Sequence, residues 1–107
     1  MMKVLIAGDY CPQARVAHII DKGEGETVFA DIIPYINNVD YSIVNFECAV
    51  ISPNSKLIKK AGPGMHCSAK AVTLLKATGF DAVTLANNHF RDYGDEGVDN
   101  SINEFVN

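Results

Sequence analysis

Two amides, an imidazole and a carboxylate crowd together in Asn87-Asn88-His89 and Asp92-Tyr93-Gly94, directly after the apolar run Ala82-Val83-Thr84-Leu85-Ala86. Amide and carboxylate oxygens are hard donors for divalent cations, and an imidazole carries protons near neutral pH. The apolar run reads as a buried strand. Residues just past such a strand stand at its carboxyl end, where open α/β sheets place their ligands. Two earlier runs end alike: Val4-Leu5-Ile6-Ala7 leads into Gly8-Asp9, and Tyr41-Ser42-Ile43-Val44 into Asn45-Phe46-Glu47. Parallel pairing of the three strands would project Asp9, Glu47, Asn88 and His89 from one edge of one sheet. That set predicts a divalent-metal site built for hydrolysis.

Each residue then has an expected role. Asp9 and Glu47 are anionic ligands suited to Mn²⁺, Mg²⁺ or Fe²⁺, and Asn88 adds a neutral amide oxygen. A carboxylate shared by two such ions holds them roughly 3.5–4 Å apart, a spacing that suits displacement at phosphorus. His89 would protonate a leaving oxygen. Asp92 would fix its tautomer through a hydrogen bond. Asn87 and Tyr93 are expected to shape the turn. Taken singly, Asp9 reads equally well as a turn former and Glu47 as a surface charge. The Asn-Asn pair is harder to read that way, because asparagine is depleted from strands and marks special loop geometry.

The elements that must position these residues alternate strand and helix, an α/β pattern. Thr27 would cap a helix over Val28 to Asn37, with Ile32, Ile33 and Ile36 inward and Pro34 kinking or splitting it. Ser68 would cap a second helix carrying Ala71, Val72, Leu74 and Leu75, closed by Gly79. The third runs from Asp95 to Val106, with Val98, Ile102, Phe105 and Val106 at helical spacing and Asp95 and Glu96 favouring its dipole. Asp40 precedes a strand ending in Asn45, and Asp81 one ending in Asn87, an internal echo that fits two successive crossover units. Two connections are long, Tyr10 to Glu26 and Cys48 to Cys67. The second carries Lys56, Lys59 and Lys60, which would meet an anionic substrate or simply form a solvated basic loop.

The 107 residues are 48% hydrophobic, enough for one domain with a modest core. A net charge of -4 argues against general nucleic-acid binding. No apolar stretch approaches the roughly 20 residues of a bilayer span. Met1-Met2-Lys3-Val4-Leu5-Ile6-Ala7 reads as the first core strand of a cytoplasmic protein rather than a secretory signal. Three cysteines, Cys11, Cys48 and Cys67, form no CxxC pair and read as ordinary buried or half-buried thiols. Phe105-Val106-Asn107 closes the chain on an apolar helix face, which reads as a fragment or as a subunit that self-associates through exposed apolar surface.

Gly8-Asp9, Asp40 through Ser42-Ile43-Val44-Asn45-Phe46-Glu47, Lys60-Ala61-Gly62-Pro63, and Gly79-Phe80-Asp81 through Asn87-Asn88-His89 to Asp92-Tyr93-Gly94 follow in the order of one family. In these blocks the chain resembles the bacterial capsule-synthesis CapA family, also called the poly-γ-glutamate biosynthesis (PGA_cap) family. That family is related to calcineurin-like metallophosphoesterases. The resemblance implies that residues 1–107 are the N-terminal part of such a domain: a βαβαβα half of an α/β/β/α sandwich. It implies metal ligands at Asp9, Glu47 and Asn88, a catalytic acid at His89 supported by Asp92, and one or two divalent ions. It implies an anionic polymer or a phosphate-containing substrate, capsule-synthesis proteins as partners, and hydrolysis by the full-length protein. Asp9 is followed by Tyr10 and Cys11 where the wider superfamily has Asp-x-His, and the later histidine motifs are absent. The 107 residues are therefore expected to be inactive alone. Three rivals stand beside this reading. One is a binding module with a degenerate metal site, and another is a structural half-domain. The third is a nucleotide-binding domain, for which Gly8-Asp9-Tyr10-Cys11 lacks a glycine-rich phosphate cradle.

Overall fold

A computed structural model describes all residues from Met1 to Asn107. Three strands, β1 (Val4–Tyr10), β2 (Tyr41–Phe46) and β5 (Ala82–Thr84), pair in the order β1-β2-β5, all parallel. The chain is thus α/β, with the sheet order expected from its apolar runs. The aspartates of the internal echo start each pairing. Lys3 N–H donates to the Asp40 carboxylate at 2.6 Å, and Ser42 N–H and Oγ–H donate to Asp81 at 2.7 and 2.9 Å. Each aspartate before a strand therefore ties its own strand to the start of the previous one.

β1 contains an irregularity that sets the direction of its side chains. Val4, Leu5 and Ile6 face Tyr41, Ser42 and Ile43, but the register then shifts, and Asp9 and Tyr10 face Asn45 and Phe46. One extra residue has entered β1 at Ala7-Gly8. Alternation along a strand has period two, so the extra residue inverts which face each later side chain takes. Tyr10 goes into the core with Phe46, and Asp9 joins Asn45 on the opposite face. Asp9 is thus the penultimate residue of the strand, not a residue beyond its end as the sequence suggested.

Helices cover one face of the sheet. Between them and β2 lies a core of Tyr10, Ile20, Phe29, Val44, Phe46, Cys48, Val50, Cys67, Ala71, Val72, Leu75 and Phe90. α4 (Ala69–Ala77) begins at Ser68, buries Ala71, Val72 and Leu75, and stops before Gly79, whose φ of 94° is the left-handed turn glycine permits. The Ser68 hydroxyl donates to Asp21 rather than capping the helix. The other face of the sheet is open: Ile6 is 80% exposed, and Val4 and Tyr41 beside it are also exposed. Parallel sheets are ordinarily covered on both faces.

Four expectations are refined or corrected. The helix expected over Val28 to Asn37 is split, one of the two outcomes expected of Pro34, into α2 (Glu26–Phe29) and α3 (Ile33–Ile36), because Pro34 cannot donate in a helix interior and instead sits in the first turn of α3. The connection from Tyr10 to Glu26 contains α1 (Ala14–Asp21). The connection from Cys48 to Cys67 contains β3 (Ala49–Val50) and β4 (His66–Cys67), paired parallel as a second small sheet. α5 runs from Gly94 to Val106, and its buried residues are Gly97 and Ser101, while Val106 is 73% exposed. A Cβ on Gly97 would lie 3.1 Å from the Ala49 Cβ, so the glycine lets α5 approach β3 closely. Ser101 Oγ then accepts from Val50 N–H at 2.8 Å and donates to Gly97 C=O at 2.7 Å. No helix is long and apolar enough to cross a membrane.

Candidate active site

The open face ends in a row of polar side chains, one from each strand: Asp9, Asn45 and Thr84, aligned by register. Asn45 Nδ2–H donates to Asp9 Oδ1 at 2.8 Å, and Thr84 Oγ1–H donates to Asn45 Oδ1 at 2.9 Å. Glu47, one residue past β2, meets Asp9. The two carboxyls titrate apart. The Asn45 amide, and then the Glu47 carboxyl, hold Asp9 below the usual aspartate range. The hydrogen bond that Glu47 gives Asp9 pushes Glu47 up, helped by burial and by Asp9's charge, and the nearby His89 opposes the rise. Two like charges at one place disfavour ionising both, so on acidification Glu47 takes up a proton before Asp9.

The His89 loop is held from two sides. Asn87 Oδ1 accepts from the N–H groups of His89 at 3.1 Å and Phe90 at 3.0 Å, the side-chain turn for which asparagine is suited. Phe90 is buried in the core and pins the far end of the turn. The ring is fixed by Asp92. The His89 Nδ1 to Asp92 Oδ2 distance is 2.7 Å, and Asp92 is only 2% exposed. Asp92 is an acceptor only, so Nδ1 carries the proton and Nε2 is the ring atom left for other partners.

Asp92 has two more donors, both from the long connection: the Lys60 ammonium, and Met65 N–H at 2.8 Å. Burial pushes its carboxyl up, but Lys60, the Met65 amide and His89 outweigh this and hold it below the usual range. Ile58 N–H also donates to Asp92 C=O at 2.9 Å, and Ser52 and Ser55 hydroxyls each reach Glu96 at 2.8 Å. The connection is therefore strapped to the start of α5. Lys60 faces a buried carboxylate, whereas Lys56 and Lys59 are exposed.

Of the residues expected at the site, Asp9 and Glu47 are in contact, His89 lies close enough to act on Glu47, and Asp92 holds His89. Asn88 is exposed, and its side chain bonds to neither carboxylate. Two adjacent carboxylates suit a hard divalent cation, which would offset their mutual repulsion. No group of three His, Cys, Asp or Glu is gathered to hold one, so the fit is partial. The residues missed as site members were Asn45, Thr84 and Lys60. The Asp-strand-Asn echo pointed to Asn45, and the Lys60-Ala61-Gly62-Pro63 block pointed to Lys60.

The cysteines are free and pack against one another in and beside the core. The neighbouring Cys67 thiol and burial push Cys48 far up, and burial pushes Cys11 up, so neither is poised as a nucleophile. The largest cavity, about 540 Å³, lies between α1 and β4, and none of Asp9, Glu47, Asn88 or His89 lines it.

The sequence model of the bacterial capsule synthesis protein PGA_cap matches residues 3–107. The capsule biosynthesis protein CapA of Bacillus anthracis is 35% identical over 106 residues, covering 97% of this chain and 26% of that protein. The PGA biosynthesis protein CapA of Bacillus subtilis (strain 168) is 27% identical over 108 residues, covering 99% of this chain and 28% of that protein. The chain thus spans little more than a quarter of the length of these relatives. It carries the family's match across nearly all of its own length, through the strand ends that hold Asp9, Glu47 and His89, and it belongs to the bacterial capsule synthesis protein PGA_cap family.

Proposed function

We propose that this chain contributes one half of a metal-dependent, phosphoesterase-like hydrolase site used in making or exporting an anionic capsule polymer. The observation that carries the reading is the meeting of an adjacent Asp9–Glu47 carboxyl pair with a His89–Asp92 pair at the carboxyl ends of three parallel strands. In this reading Asp9 and Glu47 hold a divalent ion, Mn²⁺, Mg²⁺ or Fe²⁺, or share two, with Asn88 turning in to join them. The ion supplies charge stabilisation at the reacting phosphorus. His89 Nε2 handles the proton of the leaving oxygen, and Asp92 keeps the ring in the required tautomer. The open face of the sheet supports a sandwich in which a second layer, another part of the protein or a second copy, covers Ile6 and Tyr41 and supplies the missing ligands.

The test is hydrolysis of an aryl phosphate by the full-length protein with Mn²⁺. His89→Ala should reduce turnover by ~10²–10⁴-fold, the usual contribution of a positioned proton donor, with metal content nearly unchanged. Glu47→Ala should lose both. Metal lost in His89→Ala and kept in Glu47→Ala would reverse the assigned roles. A second reading, a non-catalytic partner subunit with a degenerate site, is favoured by the lack of a three-donor group. Unchanged turnover in both variants would leave that reading standing and remove the first.

A further inference from the structure

Two asparagines connect the halves of this site, and the direction of every bond between them is fixed by chemistry. His89 N–H donates to Asn87 Oδ1 at 3.1 Å. Asn87 Nδ2–H donates to Asn45 Oδ1 at 3.2 Å and to Phe46 C=O at 2.8 Å. Asn45 Nδ2–H donates to Asp9 Oδ1 at 2.8 Å. An amide side chain can be turned end for end, so its orientation must be argued from its partners. Here the partners at both ends of the chain of bonds are one-way, and they fix the groups between them. The backbone N–H groups of His89 and Phe90 only donate, and the Phe46 carbonyl and the ionised Asp9 carboxylate only accept. Asn87 must present its oxygen to the turn and its nitrogen to β2. Asn45 must present its nitrogen to Asp9 and its oxygen to Asn87 and Thr84. Neither can flip without setting donor against donor or acceptor against acceptor.

We propose that Asn45 and Asn87 are positioning residues that join His89 to Asp9 through a one-way relay of amide hydrogen bonds. The relay commits one named oxygen of Asp9 to the protein and sets the distance between the carboxylate pair and the imidazole. Head-to-tail amides polarise one another, so the relay also turns its positive end on Asp9. The assignment rests on the reading of Asp9 and His89 as the two working ends of the site. It differs from a turn-forming role for Asn87, which needs only the Oδ1 acceptor.

Asn87→Asp separates the two roles. Aspartate forms the same turn, because it too accepts from the backbone N–H groups of His89 and Phe90. It cannot donate to Asn45 or to Phe46. The experiment reads hydrogen exchange at the Asn45 side-chain amide by ¹⁵N NMR of the labelled chain, with circular dichroism as the check on folding. In Asn87→Asp the Asn45 oxygen loses its donor and meets a carboxylate, which loosens the bond Asn45 donates to Asp9, so exchange at Asn45 should rise by up to about fivefold, the factor for losing one net hydrogen bond. Asn45→Val, which suits a strand, should speed exchange at the Asn87 amide similarly. It keeps the test alive if Asn87→Asp does not fold. Unchanged amide exchange in the folded variants overturns the relay. Mn²⁺ added to the wild-type chain gives a separate reading of the metal proposal through broadening of the Asp9 and Glu47 signals. Altered amide exchange with no Mn²⁺ broadening would support the relay and count against the metal site alone.

Discussion

The two corners of the candidate site are built in opposite ways. At the His89 corner the backbone is held by Asn87, the ring by Asp92, and Asp92 in turn by Lys60 and Met65. Nearly every polar atom there has a committed partner inside the fold. At the carboxylate corner Asp9 receives one amide from Asn45, and Glu47 rests on Asp9 itself. Satisfied buried networks rigidify, whereas adjacent carboxylates that repel one another stay open to a cation. The lesson is a division of labour: the fold completes the proton-handling side and leaves the anionic side to be completed by whatever binds.

The sharpest way to break this contrast is Asp92→Ala. It strands the Lys60 ammonium, the Met65 amide and the His89 ring without their shared acceptor. Removing one partner of a buried ion pair typically costs about 3–5 kcal/mol, so urea unfolding should show a large drop in midpoint. A loss under about 1 kcal/mol would show that this corner is no more built than an ordinary surface pair.

Acid titration of stability gives an intermediate effect. Asp92 is held below its unfolded value in the folded chain, so the unfolded chain takes up that proton first on acidification. Its contribution is whole above the ordinary aspartate value of 3.8 and fades as pH falls through the lower folded value. Glu47 has the opposite sign: its value is raised, so its contribution is whole below 4.5 and is lost as pH rises through the raised value. Asp92→Asn should flatten the acid side of the stability profile, measured by urea midpoints from neutral to strongly acidic pH. An acid side as steep as the wild type's would place the acid sensitivity elsewhere.

The smallest effect is expected from Glu47→Gln. The amide removes the repulsion with Asp9 and can still donate to it, so the neutral-pH unfolding midpoint should not fall measurably. A marked destabilisation would mean that Glu47 carries structure as Asp92 does, and the contrast between corners would fail.

Much of this arrangement was legible in the residues. Three apolar runs with polar ends gave the strands and their parallel edge, and the spacing of His89 and Asp92 gave their contact. The parts that escaped depend on information no local pattern carries. α1 starts at Gln13, whose side chain makes no cap bond, and at Ala14, whose φ of 47° is unusual for a residue with a Cβ. β3 and β4 are two residues each and exist only because Ala49 and Val50 meet His66 and Cys67 across a long loop. Half of the apolar stripe on α5 packs as expected, Val98 and Phe105 against the core, while Ile102 and Val106 are exposed and the closest approach, to Ala49, is made by a glycine. Lys60 looked like a solvated charge because its carboxylate lies far ahead in sequence.

The bulge at Ala7-Gly8 lets β1 carry one residue more than its partner strand without turning Asp9 away from the site. Deleting either residue would restore an unbroken register from Val4 onward. The aspartate would still face Asn45 and the tyrosine Phe46, because the bulge already absorbs the surplus residue; only pairing straight through without the bulge would turn the aspartate toward the aromatic core. A one-residue deletion at Ala7-Gly8 should therefore be tolerated better than one between Asp9 and Tyr10. Relatives aligned with a one-residue gap at the bulge still compare residues on the same side of the sheet.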